Sequence, residues 1–167
     1  MKKVVALLLT IILVFSNSTI GLAEERPPED QISTNPNFAQ DIWFAPIQAQ
    51  TDNGDGPLFD GGDGLQLVMV CSSISPNGAG VSVFAETDAN LICGEIGGTI
   101  HIQRWSNNEW NNYYSFVFSE DSVSSASISQ TISVQSGYYY RVSVSHYAAT
   151  AASVKRAHTT TQSILIQ

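Results

Sequence analysis

The fold class this sequence predicts is all-β: an antiparallel β-sandwich of about seven or eight short strands, with a closed barrel as the competing architecture. Three observations lead there. From Leu65 onward apolar residues recur with a period of two, the spacing that sends alternate side chains to opposite faces of a strand. The segments are rich in Val, Ile, Ser, Thr, Tyr and Phe, and no stretch of ten or more residues shows the three-and-four spacing of an amphipathic helix. With 167 residues, 43% hydrophobic and only 13% charged, the chain fits one small domain and is neither collagen-like, coiled-coil nor wholly disordered.

Residues 1–23 read as a secretion signal. Lys2 and Lys3 form a positive start, Val4 to Phe15 is an almost unbroken apolar run, and Gly21-Leu22-Ala23 places small residues at the minus-three and minus-one positions of a cleavage site. Twelve apolar residues fall short of the roughly 20 that span a bilayer core. No Cys follows the small residues, so the sequence predicts a free, secreted, extracellular chain beginning near Glu24, with no stable membrane span.

Residues 24–64 form an acidic, Pro- and Gly-rich leader. Between Glu24 and Asp63 nine acids face a single base, Arg26, and runs such as Asn53-Gly54-Asp55-Gly56-Pro57 favour loop backbone. Its middle is different: Ile42, Trp43, Phe44 and Ile47 carry too much apolar surface to leave in water. The stretch from Phe38 to Ile47 is therefore expected to dock on the domain as an edge strand or short turn, with Pro46 excluding a long helix.

Residues 65–167 form the sandwich domain. Strands are expected over Leu65–Ser72, Ala79–Glu86, Thr99–Trp105, Asn112–Ser119, Val123–Val134, Tyr138–Tyr147 and Ser163–Gln167, with an additional one through Ala152–Ala157. Turn text such as Ser75-Pro76-Asn77-Gly78 and Gly97-Gly98 separates them. Alternation is cleanest where Ala126, Ile128, Ile132 and Val134 share one parity and Ser127, Ser129, Thr131 and Ser133 the other, giving one buried face and one hydroxyl face. In Tyr138-Tyr139-Tyr140 the same rule sends Tyr138 and Tyr140 to the core with Val142 and Val144, and Tyr139 outside near Arg141.

Cys71 and Cys93, in an exported chain, read first as a disulfide. The bridge would close a 23-residue loop and stabilise by about 3 kcal/mol on the chain-entropy model.

Net charge −8 and the absence of a Lys/Arg patch exclude a nucleic-acid partner, which needs cations to replace phosphate counterions. No cofactor or metal is implied. In the run Asp52 to Gly64 the acids are not spaced two apart as a calcium loop requires, and His101, His146 and His158 lack the spacing of a metal pair. Gly-x-Ser-x-Gly is absent. Glu86, Glu95, Glu109 and Glu120 sit at strand ends, where acids commonly fall. The sequence therefore predicts no enzyme. A carbohydrate-active hydrolase, with two carboxylates or a His–acid pair converging in one cleft, is the alternative. A membrane-active β-protein is another, because Val123 to Gln135 is uncharged and alternating.

The aromatic surplus is the most informative feature. Trp105, Trp110, Tyr113 and Tyr114 flank the polar turn that holds Asn107 and Asn108. Flat rings stack on apolar sugar faces while amides bond hydroxyls, so these six residues are the candidate binding surface; core-capping rings joined by a turn explain the same text.

Gly137-Tyr138-Tyr139-Tyr140-Arg141-Val142 followed by Ser145-His146, after a Ser-rich alternating strand and before a short apolar C-terminal strand, resembles a family of short secreted proteins of unknown function from Gram-positive bacteria. The resemblance covers the last third of the chain and implies a secreted β-fold without assigning an activity. The expected function is a secreted, non-enzymatic binding or structural module at or outside the cell surface. Its partner would be cell-wall polysaccharide or another extracellular protein.

Overall fold

The computed structural model describes residues 26–44 and 64–167. The signal segment, Ile47 and the acidic glycine run from Asp52 to Asp63 lie outside the described residues. After a single 3-10 turn at Glu29–Gln31, nine strands follow: β1 (Ala39–Phe44), β2 (Leu67–Asn77), β3 (Gly80–Ala89), β4 (Glu95–Ser106), β5 (Glu109–Asp121), β6 (Ser125–Ser133), β7 (Tyr138–Ala149), β8 (Val154–Thr160) and β9 (Ile164–Ile166). They form two open antiparallel sheets, one ordered β1-β2-β3-β6 and the other β5-β4-β7-β8, with β9 pairing the remaining length of β7. The fold is a sandwich and not a closed barrel.

Strand parity builds the core. Val70, Ile74, Val81, Val83 and Ala85 of the first sheet face Ile96, Ile100, Ile102, Val142 and Val144 of the second, all at most 1% exposed. In β6 Ala126, Ile128 and Ile132 turn inward while Ser127, Ser129 and Thr131 are exposed, as the alternation predicts. The leader segment docks as expected, as edge strand β1 beside β2 with Ala39 buried opposite Ile74, but not for the expected reason: Ile42, Trp43 and Phe44 stay exposed, and backbone pairing with Ala39 holds the strand. Asp41 of β1 accepts a 2.8 Å hydrogen bond from the Thr160 N–H of β8, tying the edges of the two sheets together. Earlier in the leader, Ile32 forms a parallel bridge with Ser163, Ser33 N–H donates to Ser163 O, and Ser163 N–H donates to Gln31 O.

Of two turns expected from the sequence, one is shifted toward the C-terminus and the other is strand. β2 runs through Ser75-Pro76 to Asn77, and the hairpin turn is Gly78-Ala79, with Gly78 at φ +56° in the first central position, where a type II′ turn takes glycine. Pro76 lies past Ile74, the last β2 residue paired with β1, so its missing N–H costs the ladder nothing. β4 runs straight through Gly97-Gly98. The reason is space: a Cβ at Gly97 would lie 2.0 Å from the Phe118 carbonyl oxygen, and one at Gly98 2.9 Å from the Phe118 ring. Those glycines admit β5 and its phenylalanine; they do not end a strand.

The expected disulfide is not present. Cys71 and Cys93 are both buried and are not bonded to each other. Cys71 sits mid-strand in the row Ile42–Cys71–Glu86, and its neighbours Val70 and Ser72 take the inward parity, so its side chain points to the outer face of the first sheet. Cys93 belongs to the core cluster, with its N–H on Val123 O and its thiol on Leu91 O. Three residues of β3, about 10 Å of strand, separate the Cys71–Glu86 row from Ala89 at the end of that strand. The sheet itself stands between the two sulfurs, whereas a disulfide needs Cα atoms within about 7 Å and converging Cβ vectors.

Candidate aromatic recognition site

The six residues singled out by the sequence gather at the β4–β5 hairpin, where they divide by role. Asn107 and Asn108 are the two central residues of the turn, at φ +56° and +59°. A two-residue hairpin loop with both residues left-handed is a type I′ turn, and Asn tolerates that conformation better than any other non-glycine residue. Trp105 and Trp110 are the first non-hydrogen-bonded pair beyond the turn, on the outer face of the second sheet, and their rings meet edge to face at 5.2 Å. Trp105 is only 9% exposed, and its Nε1–H is buried without a hydrogen-bond partner among the described residues.

Trp110 is held from three sides. Its Nε1 donates to Gln31 Oε1 of the leader at 2.8 Å, the Arg141 guanidinium lies 4.3 Å over its ring, and Trp105 abuts it. Arg141 Nε donates to Gln103 Oε1, and Gln103 Nε2 to Asn112 Oδ1. Burial lowers the Arg141 pKa from its usual value, though a guanidinium stays charged at neutral pH.

Tyr113 and Tyr114 lie elsewhere. The β4–β5 register jumps from Ile102–Tyr114 to Gln103–Asn112, so Tyr113 is the extra residue of a β-bulge. The bulge turns its ring toward Tyr140, 5.6 Å away and nearly perpendicular. Arg104 fills the space between Tyr138, at 4.5 Å, and Tyr113, at 5.5 Å, and donates to Gln135 Oε1 at 2.7 Å. Tyr140 is wholly buried as expected, with its hydroxyl bonded to the Gln135 backbone, and burial raises its pKa. Tyr138 shares the inward parity of Tyr140 but lies at the strand end and is 38% exposed, whereas Tyr139, on the outward parity, is buried. Sequence alternation assigned the side of the sheet correctly and the depth wrongly.

At this site Tyr113 and Tyr138 are exposed and hold Arg104 between them at one end of the sandwich, and Tyr114, also exposed, lies 5.9 Å from Phe116. Alternation alone did not mark Tyr138 as a surface ring; its place directly after Gly137 and a turn was the available sign.

The histidines occupy two environments. His146 is fully buried between the sheets, Nδ1 2.8 Å from Thr87 Oγ1 and Nε2 2.9 Å from Thr159 Oγ1, and Thr159 reaches Ser72 at 2.8 Å. Thr87 also donates to the Gly97 carbonyl. Burial, with the nearby His158, lowers its pKa to about 4, so the ring is neutral and bridges the sheets by hydrogen bonds. His101 and His158 lie on the outer face of the second sheet, bonded to Ser115 and to Ser143 and Thr160 respectively. Among the described residues no group of three His, Cys, Asp or Glu could hold a metal ion. Glu86 and Asp88 lie two apart on the outer face of the first sheet beside Cys71. Burial, then Asp88, raises the Glu86 pKa, and burial, then Glu86 and Asp88, raises that of Cys71. Among the described residues no helix is long and apolar enough to cross a membrane.

Comparison of the chain with protein-family models, curated proteins and solved structures returns no match.

Proposed function

We propose that this chain is a secreted, non-enzymatic recognition module that binds extracellular polysaccharide through the tyrosine–arginine end of its sandwich. The supporting observation is the group formed by Tyr113, Tyr138 and Arg104, with the exposed Tyr114 next to Tyr113 in the chain. Three tyrosines there are more than a third exposed, and a guanidinium stacked between two of them is anchored by Gln135. Rings held this firmly offer apolar faces at little entropic cost, and Arg104 supplies donors for hydroxyl or carboxylate oxygens. The signal-like first 23 residues support an extracellular setting. An extracellular protein partner is the other ligand class that such rings suit.

The test is co-sedimentation of the purified protein with insoluble cell-wall and polysaccharide preparations. Saturable retention that falls at least tenfold in Tyr113→Ala and Tyr138→Ala supports the reading. No retention, or retention unchanged in both variants, overturns it. Hydrolysis on the same fold has one observation in its favour, the Glu86–Asp88 pair with its raised Glu86; release of reducing sugar that Glu86→Gln abolishes would favour it.

A further inference from the structure

The two sheets have four outer edges, and three carry devices that discourage pairing with another chain. β1 is six residues long and turns the charge of Asp41 inward; β5 is broken by the bulge at Tyr113 and flanked by Glu109, Glu120 and Asp121; β8 bears Lys155 and Arg156. β6 has none of these. Ser125–Ser133 is nine residues without charge, proline, glycine or bulge, and its register with β3 is unbroken. In a chain of net charge −8, it lies within the uncharged stretch between Asp121 and Arg141.

Its hydrogen-bond parity is fixed by the ladder. Ala89 N–H donates to Ser124 O and Val134 N–H to Ala79 O, in the same register that pairs Gly80 with Ser133, so the even-numbered residues turn their backbone groups toward β3. The N–H and C=O groups of Ser125, Ser127, Ser129, Thr131 and Ser133 therefore face the free edge, with no backbone partner among the described residues.

We propose that β6 is a self-association edge: a second copy of this chain adds antiparallel through its own β6, on a two-fold axis at Ser129, making one continuous eight-stranded sheet. The sequence suits this register in both respects. Ser129 meets Ser129, Ser127 meets Thr131 and Ser125 meets Ser133, all odd-numbered, so every free edge group finds a partner and the outer face becomes an unbroken hydroxyl surface. On the inner face Ala126 meets Ile132 and Ile128 meets Gln130, adding cover to two half-buried isoleucines. A slip by one residue would pair hydroxyls with isoleucines and set bonded groups against free ones.

The test uses the purified protein in sedimentation-equilibrium runs over a concentration series. Two variants carry Ser125→Lys, Ser129→Lys and Ser133→Lys, or the same three positions changed to Glu. These side chains are exposed and their backbone groups point away from β3, so each monomer keeps its ladder, checked by circular dichroism and thermal melting. The wild-type chain is expected to be a dimer. Each variant alone faces three like-charge rows across the axis, each weakening pairing by up to about fivefold, roughly a hundredfold together. Mixing the Lys and Glu chains restores a dimer. A monomeric wild type at its highest soluble concentration, dimers in the variants as tight as wild type, or a mixture that stays monomeric would each overturn the proposal.

Discussion

Acidification should destabilise this protein through one buried ring. His146 is neutral in the folded state, with a pKa of about 4 against an ordinary 6.5, because burial between the sheets, and then the nearby His158, disfavour its charged form. Above about pH 6.5 neither the folded nor the unfolded chain holds a proton there, and the contribution to stability is fully present. Between about 6.5 and about 4 the unfolded chain takes up a proton that the folded chain refuses, so stability falls as the pH falls; below about 4 the loss levels off. At about 1.4 kcal/mol per pH unit across that window the loss is roughly 3 kcal/mol, a large share of the 5 to 15 typical of a small domain. Urea unfolding followed by tryptophan fluorescence at stepped pH measures it, with His146→Gln as the reference. That amide can still donate and accept between Thr87 and Thr159 but does not titrate. The stability difference between wild type and variant should shrink by that amount on going from neutral pH to about pH 4. Identical pH dependence in the two proteins would falsify the argument, as would an imidazole that titrates near 6.5 by NMR in the folded state.

Other outcomes follow from particular contacts. Gly97→Ala forces a Cβ against the Phe118 carbonyl of a paired strand and should destabilise by about 3 kcal/mol, read as a lowered urea midpoint. With two buried thiols that are not bonded to each other, a reductant should leave the thermal midpoint unchanged. A thiol reagent should count no accessible thiols in the native protein and two in denaturant; a mobility shift on reduction would contradict this. Asp41→Ala strands the Thr160 N–H and releases the clasp between β1 and β8, at about 1 to 2 kcal/mol, with hydrogen exchange quickening first in β1.

The architecture was legible because period-two patterning is a direct record of which face is buried. β6 and the core parity of β7 follow it residue by residue; the leader strand was legible as a segment that docks, though Ile42, Trp43 and Phe44, expected to be covered, remain exposed on it. What escaped were features decided by a distant neighbour. Gly97-Gly98 looks like a turn until Phe118 is placed over it, and Cys71 and Cys93 look like a bridge until the register puts them on opposite sides of a sheet. At the candidate site the ring-rich hairpin was visible, but not the bulge that separates the tyrosines from the tryptophans, because a bulge is a property of register between strands. His146 carried no sequence signal of burial beyond its parity with Val142 and Val144.

The bridge between Ile32 and Ser163 joins residues 131 positions apart. A chain made from its N-terminus onward therefore presents its leader long before the residue that fastens it. Until Ser163 emerges, Gln31 has no backbone partner at that edge, and the contact closes almost the whole length of the described chain. Closing so long a loop is slow by nature, which places this contact among the last of the fold to form. Truncation before Ser163 would remove that residue and β9 together, leaving the leader's first turn without its catch while nearly all of the core remained present.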